Sequence, residues 1–253
     1  MIQNLIRRKR NGDKTVKISS YLLDLFFPPK CAFCGKLMDT AGDGVCPACS
    51  AALPAREDEN ALLPIGEKPY PCAVAFYYES PVKEGVHALK FGGKPWRARI
   101  FARYIVQTAA EQLSGRFDAV TYVPVSPQRN FRRGYDQARL LARAAGRAWG
   151  VPAETTLRKI RHNRAQSSLK DPGQRKQNVK HAYAVPHPGR VAGRRFLLID
   201  DVATTGSTLS ACADALLSAG AASVVCAALA GGRRAAPPCG AGKDCQVEKF
   251  LEN

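Results

Sequence analysis

The segment FLLIDDVATTGST, residues 196–208, admits few architectures. Residues 196–199 are a continuous apolar run, the pattern of a strand buried on both faces, as parallel sheets require. Asp200 and Asp201 follow. Two ionised carboxylates in a half-buried place repel each other unless something of opposite charge stands beside them. Next comes a turn of Thr204, Thr205, Gly206, Ser207 and Thr208, in which Gly206 permits a sharp reversal that a side chain would block. A helix is predicted to begin near Ser207 or Thr208. Ligands of open α/β sheets bind at the carboxyl ends of strands. There the N–H groups of such a turn converge, the helix start adds partial positive charge, and the hydroxyls add donors, which together make a monophosphate cradle. Val202 and Ala203 join the acid pair to it. The aspartates are placed to accept hydrogen bonds from sugar hydroxyls, and a divalent cation nearby would relieve their repulsion.

The rest of the chain supplies the sheet. Strands are predicted at 73–78, 117–125 and 224–229, and helices at 81–90, 96–113, 134–149 and 208–219. In the third helix Ala138, Leu141, Ala142, Ala145 and Trp149 recur at helical spacing. Short apolar strands alternating with helices give an α/β domain with a parallel sheet, here over residues 70–232. Residues 1–19 read as a basic, weakly ordered arm. Residues 20–65 hold a short helix, a cysteine module and a Pro-containing linker, and residues 233–253 read as a flexible tail.

The cysteine module is the second strong signal. Cys31 and Cys34 form one Cys-x-x-Cys pair and Cys46 and Cys49 another. Each such turn brings two thiolates onto one ion, and two of them complete a tetrahedral zinc shell. A closed four-sulfur shell has no open position, so this zinc is structural, and for so short a module it supplies most of the folding free energy. Cys72, Cys212 and Cys226 lie in apolar surroundings and read as core residues. Cys239 and Cys245 fall in the tail. Tyr21, Phe26, Phe27 and Phe33 admit two readings: stacking on nucleic-acid bases, or a small core that packs the ribbon onto the domain.

Charge narrows the partner. The formal net charge is +17, which points to a polyanion: nucleic acid, a phosphorylated small molecule or an anionic membrane surface. The N-terminus has charges but no apolar segment behind them, and no apolar run is long enough to span a bilayer. A cytoplasmic protein is expected, with peripheral contact to a membrane machine still open. Ser126, Arg129, Arg132 and Arg133 lie in an arginine-rich loop after the 117–125 strand, suited to charge-assisted bonds with an anion. Residues 156–180 carry eight Lys or Arg against one Asp and no apolar period. That stretch is expected to be a mobile hood closing over the anion, with Arg161, Arg164, Gln166, Arg175 and Asn178 as its contacts.

The segment IDDVATTGST closely resembles the phosphoribosyl pyrophosphate (PRPP) motif of type I phosphoribosyltransferases. With LDLFFPPKCAFCG at 23–35, HALKFGG at 87–93, VPVSPQRNFRRGYDQARLLA at 123–142 and the hood, the order of segments resembles the competence protein F (ComF) family over roughly residues 20–231. The resemblance implies a type I phosphoribosyltransferase fold with an N-terminal zinc ribbon. It implies that Asp200 and Asp201 contact the ribose hydroxyls, that residues 204–208 hold the 5′-phosphate, and that Ser126, Arg129 and Arg133 meet the pyrophosphate, with Mg²⁺ accompanying PRPP. Asp200, Asp201 and Arg129 would carry the transfer. The family pattern RGFNQ reads Arg133, Gly134, Tyr135, Asp136, Gln137 here, so Asp136 adds a negative charge near the expected anion site. The family further implies natural competence and DNA uptake, alongside uptake and recombination proteins. Two functions follow: a phosphoribosyltransferase with an unidentified acceptor, or a non-catalytic accessory protein that binds single-stranded DNA.

Overall fold

The computed structural model of the chain describes residues 28–40, 42–56, 70–160 and 182–232. Four apolar runs pair as one wholly parallel sheet: β1 (Cys72–Tyr77), β2 (Ala119–Tyr122), β5 (Arg195–Ala203) and β6 (Ser223–Gly231), in the order β1-β6-β5-β2. In the register of β5 and β6, Leu198 lies beside Cys226 and Asp200 beside Ala228. Beyond β2, Val120 bridges in parallel to Ala153 and its carbonyl accepts from Glu154 N at 2.9 Å, which extends that edge. Helix α1 (Pro47–Ala51) belongs to the cysteine module. Helices α2 (Val82–Phe91), α3 (Arg97–Leu113), α4 (Pro127–Arg133), α5 (Gln137–Trp149) and α6 (Ser207–Ser218) complete the main helical set.

Alternation along β5 sorts the core into two layers. Leu197 and Ile199 pack with Val86, Leu89, Phe101, Ile105 and Leu141 of α2, α3 and α5. Phe196 and Leu198 pack on the other face with Leu209, Cys212 and Leu216 of α6, where Cys72 and Cys226 are also fully buried.

Several boundaries differ from those the sequence suggests, each for a local reason. The strand expected to stop at residue 199 continues through Ala203, so both aspartates lie inside it. The arginine-rich stretch after β2 is not a loop. Ser126 caps it, accepting from Arg129 N at 3.3 Å, Pro127 follows, and α4 runs to Gly134 at φ 75°. A Ser-Pro pair is a helix start, and Gly at the far end supplies the left-handed stop. Helix α5 begins at Gln137 rather than 134, because Asp136 is its cap. Two short strands, β3 (Arg158–Lys159) and β4 (Tyr183–Ala184), pair antiparallel and bracket the basic stretch in sequence. No helix among the described residues is long and apolar enough to cross a membrane.

The cysteine module shares the domain's core. Phe33 lies 5.1 Å from Phe101, 6.1 Å from Phe76 and 6.0 Å from Tyr104, centroid to centroid. So Phe33 packs ribbon to domain, whereas Tyr21, Phe26 and Phe27 fall outside the described residues. Arg97, 5% exposed, donates from Nη1 to the carbonyls of Ala32 and Phe33. The fit is close enough to exclude side chains. A Cβ on Gly85 would stand 2.9 Å from Phe101 Cζ and 3.1 Å from Phe33 Cδ1. Gly85→Val is therefore expected to destabilise the protein by about 1–3 kcal/mol through overpacking. Urea unfolding reads this directly, and an unchanged midpoint would mean that the ribbon does not seat on α2.

Candidate functional site

The site forms where β5 ends. Successive side chains of a strand point to opposite faces, so the acid pair is split. Asp201 turns toward α2, where Lys90 Nζ meets its Oδ1 at 2.8 Å. Asp200 lies toward the α6 side, where its charge acts on Cys212, Tyr183 and Lys159. Its Oδ1 accepts from Asp201 N at 2.8 Å. The sheet thus separates two charges that sequence alone suggests are crowded together. The separation is incomplete. Burial first, and then the Asp201 carboxylate, push Asp200 well above the ordinary carboxylate range, against the pull of the Asp201 N–H and Lys90. Asp201 is 4% exposed, and its Oδ2 has no hydrogen-bond partner among the described residues.

The turn after β5 presents exposed Thr204, Thr205 and Ser207, half-buried Thr208, and Gly206 at φ 70° as the cap of α6. Glycine offers no side chain to cap the helix start. Thr205 Oγ1 and Ser207 Oγ stand 2.9 Å apart, and Ser207 N donates to Thr205 Oγ1 at 3.4 Å. Val202 is half-buried and Ala203 buried beneath this turn.

On the other side stands α4. The Arg133 guanidinium lies 4.7 Å over the Phe91 ring. Burial lowers its pKa and the Asp201 charge raises it, so α4 and the acid pair share one field. Arg129 is exposed, while Ser126 is buried and committed to capping α4. Asp136 is also committed: Oδ2 accepts from Val125 N at 3.0 Å and Oδ1 from Arg139 N at 3.0 Å. Burial pushes its pKa up and those N–H groups pull it down. Its charge belongs to the joint between β2, α4 and α5. The hood candidates Arg161, Arg164, Gln166, Arg175 and Asn178 lie outside the described residues.

Sequence reasoning passes over Lys90. It lies in the last turn of α2, directly after buried Leu89 and just before the Gly92–Gly93 exit, within the quoted HALKFGG. A lysine is ordinary in a helix's last turn, and only the tertiary fold reveals its partner. Lys159 and Tyr183 escape notice for the same reason: the ammonium lies 5.3 Å over the ring, in a short strand pair without a sequence period.

The four sulfurs of Cys31, Cys34, Cys46 and Cys49 lie within 4.8 Å of one another. The Cys34 and Cys46 sulfurs are 3.8 Å apart. A tetrahedral ion with Zn–S bonds of about 2.3 Å requires sulfurs about 3.8 Å apart, so the donor set fits zinc. Cys46 N points to Cys31 Sγ at 3.4 Å and Cys49 N to Cys46 Sγ at 3.5 Å, the supporting bonds such knuckles supply. The nearby buried Arg97 has its pKa lowered by burial and raised by the Cys31 and Cys34 sulfurs, so it is a counter-charge to the shell.

Residues 132–249 match the phosphoribosyl transferase domain, and residues 22–60 match the double zinc ribbon domain. The four cysteines in that second range all belong to the one cluster. The DNA utilization protein YhgH of Salmonella typhi is 30% identical over 220 residues, which is 79% of this chain and 96% of its own length. Competence protein F of Haemophilus influenzae is 28% identical over 210 residues, 73% of this chain and 89% of its own. Among solved structures, the allosteric regulatory enzyme of purine biosynthesis aligns with 52% of this chain and 25% of its own, at 25% identity and a TM-score of 0.36, a likeness too loose to argue from. The fold is a phosphoribosyltransferase-type parallel sheet flanked by helices, with a four-cysteine zinc ribbon at its N-terminal side.

Two outcomes are expected from these contacts. The protein should carry about one zinc ion per chain, and Cys46→Ser should lose both the metal and the ribbon's resistance to proteolysis. Metal analysis and limited digestion check this, and a folded, protease-resistant, zinc-free variant would rule out a structural ion. The second concerns Asp200. The folded chain holds it above the ordinary carboxylate value, so its protonated form favours folding, fully so in acid. That contribution is lost as pH rises through the folded-state value. Asp200→Asn should therefore raise the melting temperature of the ligand-free protein at neutral pH, by about 2–4 °C per kcal/mol relieved. The gain should shrink toward about pH 4. A loss of stability, or a gain independent of pH, would contradict the electrostatic account.

Proposed function

The chain belongs to the family of competence protein F (ComF) and the DNA utilization protein YhgH, and on that footing we propose that it binds PRPP and transfers its phosphoribosyl group to an acceptor, releasing pyrophosphate. The observation that carries the reading is the acid pair at the end of β5, Asp200 half-buried and Asp201 buried, continuous with a glycine-started helix. The carboxylates meet the ribose hydroxyls, with the orphaned Oδ2 of Asp201 as the acceptor still lacking a donor. Residues 204–208 hold the 5′-phosphate through backbone N–H groups and hydroxyls. Arg129 and Arg133 of α4 face the pyrophosphate.

The transfer needs no protein nucleophile. An acceptor atom attacks C1 of the ribose as the C1–oxygen bond breaks, and the bonding pair leaves with the pyrophosphate. The transition state has oxocarbenium character, and negative charge grows on the leaving group. The protein supplies orientation and fixed countercharge. The acid pair is the donor set on this chain that would hold Mg²⁺, which would supply countercharge to the pyrophosphate. We place this activity in the cytoplasm, in the service of competence and DNA utilization, the roles for which the relatives are named.

A second reading is favoured by Phe131. It is 90% exposed on α4, between Asn130 and Arg132. An exposed ring among arginines is a stacking platform for single-stranded DNA. Under this reading the chain is an accessory factor that handles DNA without turnover, and its affinity falls steeply with salt.

Calorimetric titration of PRPP with Mg²⁺ separates the two. The wild type should bind, and Asp200→Asn/Asp201→Asn should lose at least tenfold in affinity, about 1.4 kcal/mol. If the folded, zinc-loaded wild type binds no PRPP, the transferase reading fails and single-stranded DNA becomes the ligand to test, with Phe131→Ala as the variant expected to weaken it.

A further inference from the structure

Lys90 is the one residue of α2 that reaches the acid pair, and three observations give it more than a tethering role. Its Nζ stands 2.8 Å from Asp201 Oδ1, with the lysine side chain 21% exposed and the aspartate side chain 5%. The other oxygen of that carboxylate is buried without a partner among the described residues. Phe91, the next residue, is 63% exposed and carries Arg133 on its ring, so adjacent residues of α2 contact the acid pair and α4.

A polyanionic ligand entering this site approaches two carboxylates. Asp136 adds a third negative charge to the same field. Arg133 and Lys90 are the cations that face Asp201 from α4 and α2. Of the two, only the lysine makes an ion pair with it among the described residues. An ammonium on a carboxylate does part of what a divalent cation would do there: it cancels the repulsion that an arriving phosphate would otherwise meet. A lysine is also a point charge on a flexible stem, able to remain on Asp201 while offering its other protons to a ligand oxygen.

We propose that Lys90 is a ligand-binding residue, the built-in cation of the acid pair, which bridges Asp201 and the diphosphate of the incoming ligand and so lessens the need for Mg²⁺ in binding. This rests on the PRPP reading above and adds a residue and a metal dependence to it.

The experiment is calorimetric titration of PRPP into wild type, Lys90→Met and Lys90→Arg, each with Mg²⁺ and with EDTA. The quantity read is the ratio of the two dissociation constants. Lys90→Met should raise that ratio by about tenfold over wild type, within the ordinary range of coupling between two bound groups. Lys90→Arg, which keeps the charge, should restore most of it. A merely structural lysine would shift the melting temperature, or weaken binding equally in both buffers, and leave the ratio unchanged. An unchanged ratio in a folded Lys90→Met protein overturns the inference while the PRPP reading stands. If Lys90→Met does not fold, Lys90→Gln, with its short polar side chain, takes its place and the same ratio decides. Absence of binding in the wild type with Mg²⁺ overturns the PRPP reading itself, and this inference with it.

Discussion

A carboxylate pair on an interior strand, Asp201 buried and Asp200 half-buried, is the constraint around which the rest of the molecule is arranged. Asp201 is almost wholly removed from water, and an ionised carboxylate there is costly without a countercharge. The countercharge is Lys90, and a lysine can meet a strand end only if its helix is held close to the sheet. Helix α2 is held by one buried stripe, Val82, Gly85, Val86 and Leu89, which packs on the domain core and on the ribbon together. Gly85 is the point of closest approach, with Phe33, Ala32 and Phe101 all near its missing side chain. The zinc knuckle therefore buttresses the helix that neutralises the acid pair. The ribbon is too small to bury a core of its own, and here it needs none, since Cys31, Ala32 and Phe33 join the main cluster.

Arg97 secures the same joint by a polar route. A buried guanidinium is tolerable only if its donors find acceptors. Here they find the Ala32 and Phe33 carbonyls of the first knuckle. Four thiolates around a divalent ion leave that shell net negative, so an arginine at its edge also complements its charge. Nε is the one nitrogen of Arg97 that is buried without a partner among the described residues, an expense the other bonds must offset. A lysine there would retain the charge but lose the planar, pre-organised guanidinium that aims Nη1 at both carbonyls. The exposed contact of Arg103 with the Asp43 carbonyl, at 2.9 Å, repeats the motif nearly two turns further along α3 at far less consequence.

What the sequence disclosed, and what it withheld, follow the range of the interactions concerned. The β5–α6 unit is local: an apolar run, a glycine turn and a helix start read along the chain. The two Cys-x-x-Cys turns are local too, and the structure closes them into one cluster. The separation of Asp200 from Asp201 was within reach, since it needs only the observation that the strand continues to Ala203. The apolar run ends at residue 199, and the polar residues that follow look like a loop. The small helix α4 was legible in Ser126-Pro127 and Gly134, but its arginines suggest an anion loop and draw attention from the caps. Lys90 was not legible. Its role is set by Asp201, 111 positions away, and nothing in the HALKFGG segment sets its one lysine apart from those elsewhere in the chain. The same holds for Asp136, whose carboxylate reads as a charge beside an anion site and proves to be a joint between backbone N–H groups.

The division of the acid pair between two faces also sets how a ligand must lie. One face carries the glycine-started α6 and the β3–β4 pair and the other carries α2, while α4 serves both: Arg133 lies over Phe91 of α2, and the charge of Arg129 acts on Lys159 and Tyr183. A ligand that touches both carboxylates has to straddle the end of β5, with one end toward each set of donors. The α6 start, with its N–H groups and hydroxyls, suits a compact terminal phosphate. The α4 side, with Arg129 and Arg133, suits a more highly charged group. A sugar bearing a phosphate at one end and a diphosphate at the other has that asymmetry. A free nucleotide or an isolated phosphate would engage only half of it. On the transferase reading proposed above, the placement of two consecutive aspartates in a strand rather than in a turn would do more than lower their repulsion, because it would orient the charged ends of the ligand.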